Sequence, residues 1–265
     1  MSDETLNTIK SKSLHDSWVK SFRGSEASQF YDLAFNYISG HLKNRSLQTV
    51  LDAGCGSASK TLRLASHGFK VTGCDFSEDA LDMARKAVSD SPYPEIELQK
   101  EDLTAISFSD NAFDAVICWG VLMHIPDIHK AISELSRVVR PGGILVIGES
   151  NMHSLHSIVF RNLRSLLRPG FKQIYKTEGV ETYITTPSGQ LLVRQTDMNW
   201  LIGKMSDLNF TLSDRVAGQF TELYTSRFST PLLNKFIHLF NNTWFKYIKS
   251  PKPSLGNILF FEKTK

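Results

Sequence analysis

Asp52, Gly54, Gly56 and Asp75 are the residues whose types and spacing could do chemistry in this chain. They sit in and after the stretch Thr-Val-Leu-Asp-Ala-Gly-Cys-Gly-Ser-Ala-Ser at 49–59, an apolar strand end followed by two glycines. Glycines there let the backbone turn sharply and close on a ligand. Residues 57–59 then open a helix, whose first N–H groups would point at that ligand. A glycine loop alone can do no more than turn the chain. Asp75 makes the reading sharper, because it ends the next apolar run nineteen positions after Gly56. That is close to the spacing at which a carboxylate meets the ribose hydroxyls of a nucleotide.

Asp52 decides between nucleotides. A carboxylate just before the glycines would repel a pyrophosphate but attract a ligand carrying an ammonium and a sulfonium. Ser59 also stands where a dinucleotide fingerprint has its third glycine. Both features argue against NAD and for S-adenosylmethionine.

At these residues the chain resembles a known family. Val50-Leu51-Asp52-Ala53-Gly54-Cys55-Gly56 is similar to the first motif of class I S-adenosylmethionine-dependent methyltransferases, and Gly73-Cys74-Asp75-Phe76-Ser77 to their second-strand acidic motif. The resemblance implies cofactor contacts from Asp52, Ala53, Gly54, Cys55, Gly56, Asp75 and Phe76. It extends to Asp102-Leu103, since an Asp past the third strand accepts a hydrogen bond from the adenine amino group in that family. As a residue, Asp102 reads equally as a loop acid or an N-cap. Trp119-Gly120 opens the segment that in the family faces the methyl group and substrate, and Arg140-Pro141-Gly142-Gly143 is another family feature. The fold implied is α/β, a Rossmann-like seven-stranded sheet in the order 3-2-1-4-5-7-6, strand 7 antiparallel, with helices on both faces and helical cap insertions.

The elements that must position these residues follow from pattern. Residues 13–41 have helical periodicity broken at Gly24, so 1–46 is expected to be an N-terminal helical lid or a layer packed on the sheet edge. Tyr31 and Arg23 on it are candidate cofactor or substrate contacts. The core is expected at 47–150. It has a helix over 58–67 capped by Gly68, a strand at 70–74, and a helix that Ser77 caps. Strands follow at 96–99, 113–118 and 144–148, with a helix at 128–139. Strands alternating with helices require a parallel sheet covered on both faces, with ligands at the carboxyl ends of its strands.

Residues 151–195 read as a cap insertion. Their first part, 153–176, is a basic amphipathic helix suited to a substrate cap or an anionic membrane surface. Residues 196–265 complete the core, with Thr196 as a helix N-cap and strands at 210–216 and 257–263. A second insertion at 225–255 mixes aromatics with lysines. Phe220, in the stretch 218–222, is a candidate acceptor contact.

Composition sets outer bounds. The 265 residues suit one domain with insertions, and a net charge of +3 is unlike that of a histone or nucleic-acid coat. Charge is uneven: 223–261 contains no acid. Cys55, Cys74 and Cys118 lack CxxC spacing and are expected to be reduced, buried thiols of a cytoplasmic protein, with no metal site. Asp3 and Glu4 without an apolar stretch give no secretory signal, and the apolar run at 115–123 is too short to span a bilayer.

Methyl transfer to an oxygen or nitrogen needs an aligned nucleophile and, for an alcohol, phenol or protonated amine, a base. His124 is the first candidate, with His153 and His156 behind it. The Asn/Asp-Pro-Pro-Tyr motif of amino-directed DNA and protein methyltransferases is absent after the fourth strand, so the resemblance is to small-molecule methyltransferases, with O-methylation expected over N-methylation. Apolar, basic caps suggest an aromatic or lipid-like acceptor bearing an acidic group. A nucleic-acid or protein methyltransferase docking through the basic late segments stays open, as does a non-catalytic S-adenosylmethionine-binding protein. Steep salt dependence of RNA binding would mark the former, and cofactor never consumed in the presence of an acceptor the latter.

Overall fold

Strands covered on both faces carry unbroken apolar runs. Residues 115–118, 144–147 and 258–261 are such runs, and all are buried. The computed structural model describes residues 8, 11, 14, 25–167, 172–186, 188–225 and 230–264. In chain order the elements are α1 (Ser25–Lys43), β1 (Thr49–Ala53), α2 (Ser59–Ser66), β2 (Lys70–Asp75), α3 (Glu78–Ser89), β3 (Glu97–Lys100), β4 (Phe113–Trp119), α4 (Ile128–Val138) and β5 (Val139–Ser150). After them come α5 (Leu155–Leu167), β6 (Ile174–Lys176), β7 (Gly179–Thr186), β8 (Gly189–Thr196), α6 (Met198–Asp207), β9 (Phe210–Ala217), α7 (Pro231–Thr243) and β10 (Gly256–Lys263).

The large sheet runs β3-β2-β1-β4-β5-β10-β9. Its first five strands are parallel, and β10 is antiparallel to both β5 and β9. This is the seven-stranded Rossmann-like order expected. One face packs on Phe30, Phe35, Ile38 and Leu64, the other on Leu122, Ile132, Leu135 and Leu201.

Several boundaries differ, three of them for a local reason. The second helix begins at Ser59, because Ala58 is left-handed at φ 63° and makes no side-chain cap. Helix α6 is capped by Asp197, whose Oδ1 accepts from the N–H groups of Asn199 at 2.8 Å and Trp200 at 3.2 Å; Thr196 instead ends β8. The basic helix stops at Leu167, well short of 176. Residues 174–196 instead form a three-stranded antiparallel sheet, β6-β7-β8, so the first cap is half helix and half sheet.

Candidate active site

The carboxyl ends of the parallel strands open on a cavity of about 970 Å³, lined at β1, β2 and β4 by Gly54, Asp75 and Trp119. Gly54 has φ 77°, and a Cβ there would lie 2.4 Å from Val121 Cγ2, so only glycine lets this loop rest on the segment after β4. Gly56, at φ 55°, has open space where its side chain would be. Its N–H donates to Asp75 Oδ2 at 2.9 Å, while Asp75 Oδ1 accepts from the N–H of Ser77 at 2.9 Å. The carboxylate is thus fixed between the glycine loop and the start of α3. Phe76 and Leu103 supply apolar wall, and Cys55, Trp119 and Gly120 also line the cavity. Asp102 stands exposed at the lip, its Oδ1 accepting from the N–H and hydroxyl of Thr104, both at 2.8 Å.

An adenosyl cofactor fits these residues. Space opens at Gly56, Asp75 presents a fixed carboxylate to vicinal hydroxyls, Phe76 and Leu103 suit a purine, and no arginine among the described lining residues awaits a pyrophosphate. Two expected contacts lie behind this wall. Ala53 and Asp52 are fully buried and do not line the cavity. Asp52 Oδ2 accepts from the Thr61 hydroxyl at 2.7 Å, and burial raises its pKa. Its side chain faces α2 rather than the ligand, so it braces the helix that follows the loop.

The opposite wall comes from distant parts of the chain. Trp119 packs where only Gly148 leaves room, since a Cβ there would meet its ring at 2.7 Å; its indole lies 5.7 Å from the ring of Tyr31. Leu191 and Val193 of β8 add an apolar flank, and Gln219 and Asn257 add amides. Two carboxyl groups complete it. Glu149, buried at the end of β5, makes no side-chain hydrogen bond of normal geometry, although the backbone N–H groups of Val121, Leu122 and Met123 face it. Burial pushes its pKa up to about 7. Glu222 lies beyond β9 near Tyr31 and Tyr224, and burial alone raises it likewise to about 7. Perturbed carboxyls in a cleft are the usual mark of proton-transfer sites.

The histidines stand otherwise. His124 does line the cavity, but its Nδ1 donates to the carbonyl of Leu192 at 2.7 Å, and burial, with Arg194 adding to it, lowers its pKa to about 4. A nitrogen that acidic when protonated is a poor proton acceptor at neutral pH. His153 is exposed beside Asp197 at 3.3 Å, and His156 bonds the Thr221 hydroxyl at 2.8 Å; neither lines the cavity. Phe220 turns away to pack on Phe240 and Trp244. Tyr31 is in the wall, and Arg23 lies outside the described residues. Lys60 and Lys130 line the cavity together with Glu149 and Glu222, so groups of both signs face an acceptor there.

Arg194, fully buried on β8, holds the two walls together. It pairs with Glu181 at 2.6 Å and donates to the carbonyls of Leu122, Ile125 and Pro126 at 2.9, 2.9 and 3.2 Å. The small sheet is therefore pinned to the segment after β4.

An open, mostly parallel sheet with this glycine loop and strand-end acid defines an α/β protein built to hold an adenosyl cofactor. Residues 51–147 match the methyltransferase domain family. A demethylmenaquinone methyltransferase of Desulfitobacterium hafniense is 37% identical over 132 residues, 48% of this chain and 47% of that protein, so the chain spans about half that relative's length. A ubiquinone biosynthesis O-methyltransferase of Alkalilimnicola ehrlichii is 30% identical over 183 residues, 63% of this chain and 68% of the relative. Among solved structures, the magnesium protoporphyrin IX methyltransferase of Synechocystis PCC 6803 with bound SAH superposes with a TM-score of 0.66 at 18% identity, covering 99% of this chain and 100% of that one. The chain belongs to the class I S-adenosylmethionine-dependent methyltransferases, and its cofactor is S-adenosylmethionine.

Proposed function

We propose that this protein methylates an oxygen of a small, largely apolar acceptor, with Glu222 taking the proton. The observation that carries the reading is the pair of carboxyls on the cavity lining, buried Glu149 and half-buried Glu222. Bound S-adenosylmethionine supplies a methyl group on a sulfonium, which leaves as a neutral thioether. The protein's share is alignment and proton removal. The loop 54–56 and Asp75 hold the cofactor end. Tyr31 and Trp119, in ring contact with each other at 5.7 Å, offer one aromatic surface to a flat acceptor, and Leu191 and Val193 exclude water around it. Glu222, titrating near neutral pH, accepts the hydroxyl proton as the new bond to carbon forms. Glu149 orients the same hydroxyl through its own carboxyl. Acceptors of the quinone type, for which the sequence relatives are named, match an apolar flank with carboxyl groups at its base.

The test is incubation with S-adenosylmethionine and a panel of hydroxylated quinones and phenols, followed by mass spectrometry. The expected result is an O-methyl product formed in step with S-adenosylhomocysteine. Calorimetry with S-adenosylhomocysteine separates a wrong acceptor panel from a wrong cofactor. Binding without turnover on any hydroxylated acceptor, or transfer only to nitrogen, would overturn the O-directed reading.

A further inference from the structure

Every large hydrophobic side chain that stands exposed among the described residues lies in 155–184 or 232–248. Among the described residues the two insertions thus carry every exposed large hydrophobic side chain, and the sheet with its own helices carries none in that class. Helix α5 is amphipathic the wrong way round for a core: it buries only Ser157 and shows Leu155, Ile158, Val159, Leu163 and Leu166 to solvent. Helix α7 does the same, burying His238 and Asn241 with Ile237 while Leu232, Phe236, Leu239 and Phe240 point out at helical spacing. Leu166 is 78% exposed and Leu239 63%. Continuous apolar faces of this kind mark a surface meant to be covered.

Charge identifies the cover. No acid occurs anywhere in 223–261, and none in 154–177. Arg164, Lys172, Lys235, Lys246 and Lys252 are exposed with no acid in ion-pair range among the described residues. Arg63, Arg85, Arg137 and Arg140 of the sheet and its helices each pair with an acid, whereas these five stand in stretches that contain none. Apolar stripes ringed by unpaired cations are complementary to an anionic bilayer, where the stripe enters the acyl boundary and the cations meet phosphates. No helix among the described residues is long and apolar enough to cross a membrane, so the fit is to its surface.

Both helices hold a segment of the cavity wall without lining the cavity themselves. His156 of α5 bonds the Thr221 hydroxyl, and Asn241 of α7 donates to the Thr221 carbonyl at 2.9 Å and accepts from the N–H groups of Phe220 and Thr221. The segment they grip carries Gln219 and Glu222 into the cavity wall, and exposed Ile184 lies on the cavity's lining.

We propose that α5 and α7 together dock the protein on the surface of an anionic phospholipid bilayer, with the cavity opening beside the contact. The test is flotation of the full chain with phosphatidylglycerol–phosphatidylcholine vesicles against vesicles of phosphatidylcholine alone, with no acceptor present. Binding should favour the anionic vesicles and fall steeply with salt. The exposed pairs Leu163→Glu with Leu166→Glu, and Phe236→Glu with Leu239→Glu, should each weaken it by roughly tenfold or more. Affinity for S-adenosylhomocysteine, checked by calorimetry, should be unchanged and so report intact folding. The charge reversals Lys235→Glu and Lys246→Glu, both at exposed positions, should weaken it too. Absence of vesicle binding would overturn the proposal, as would binding indifferent to all of these substitutions. Light scattering that shows a dimer dissociated by the same changes, without vesicle binding, would assign the surface to a second copy.

Discussion

One wall of the cavity comes from three short stretches at strand ends, 54–60, 75–76 and 102–104; the other draws on Tyr31, Trp119, Glu149, Leu191, Gln219 and Glu222. The first wall is local: Asp75, Gly56 and Ser77 are held by hydrogen bonds between neighbouring turns. The second exists only once α1, β5, β8 and the segment after β9 have packed together. A cofactor common to a family suits the first kind of wall, and an acceptor peculiar to one member suits the second, which can change without disturbing the loop.

The strongest attempt to break that division is Arg194→Ala. It leaves Glu181, 2% exposed, without its buried partner, though Lys176 still reaches it at 2.8 Å. Removing one member of a buried pair costs about 3–5 kcal/mol. Thermal melting should drop accordingly, and whatever remains folded should still bind S-adenosylhomocysteine. Loss of cofactor affinity in step with the small sheet would mean the walls are one cooperative unit.

Glu222→Gln should act on chemistry alone, lowering kcat by about 10²–10⁴-fold while cofactor affinity holds. The sign with pH follows from the role. A base must be ionised to accept a proton, so wild-type kcat/KM should rise as pH passes through about 7, where Glu222 titrates, and then level off. In the variant that rise should vanish.

Asp75→Ala addresses the first wall. A hydrogen bond to a charged group is worth about 1.5–3 kcal/mol, or roughly 10–100-fold in Kd. Calorimetry should show that loss for S-adenosylhomocysteine, with kcat at saturating cofactor little changed.

What the sequence disclosed follows the same division. Asp75 and the glycines were legible because strand, turn and acid are contiguous, and the sheet order because apolar runs alternate with amphipathic helices. Glu149 carried a readable signal, being an acid at the end of an apolar strand just as Asp75 is, but it was passed over as a boundary. Glu222 did not, since the choice between Phe220 and Glu222 as the inward residue is made by Asn241, which grips the backbone between them from another helix. The β6-β7-β8 sheet was hidden behind the helical periodicity of 153–167 run on too far, although Pro169-Gly170 supplied a stop. His124 lies on the cavity lining as its place after the fourth strand implies, whereas neither the Leu192 carbonyl nor the burial that lowers its pKa is visible locally.

His124→Gln is the smallest expected effect and the finest test of the second wall. Nδ1 donates to a carbonyl, which can only accept, so its proton is committed to Leu192, and burial keeps the ring neutral at physiological pH. Glutamine keeps an N–H donor on a side chain of similar reach and can retain that bond. With the histidine titrating at about 4, its protonation does not change between pH 5 and 9, and neither should its share in turnover. The variant should therefore keep kcat within about fivefold of wild type, about 1 kcal/mol in barrier, with the pH profile still governed by a group near 7. A collapse of kcat with cofactor affinity intact would return the proton to His124 and leave Glu149 and Glu222 as shape and polarity in the wall.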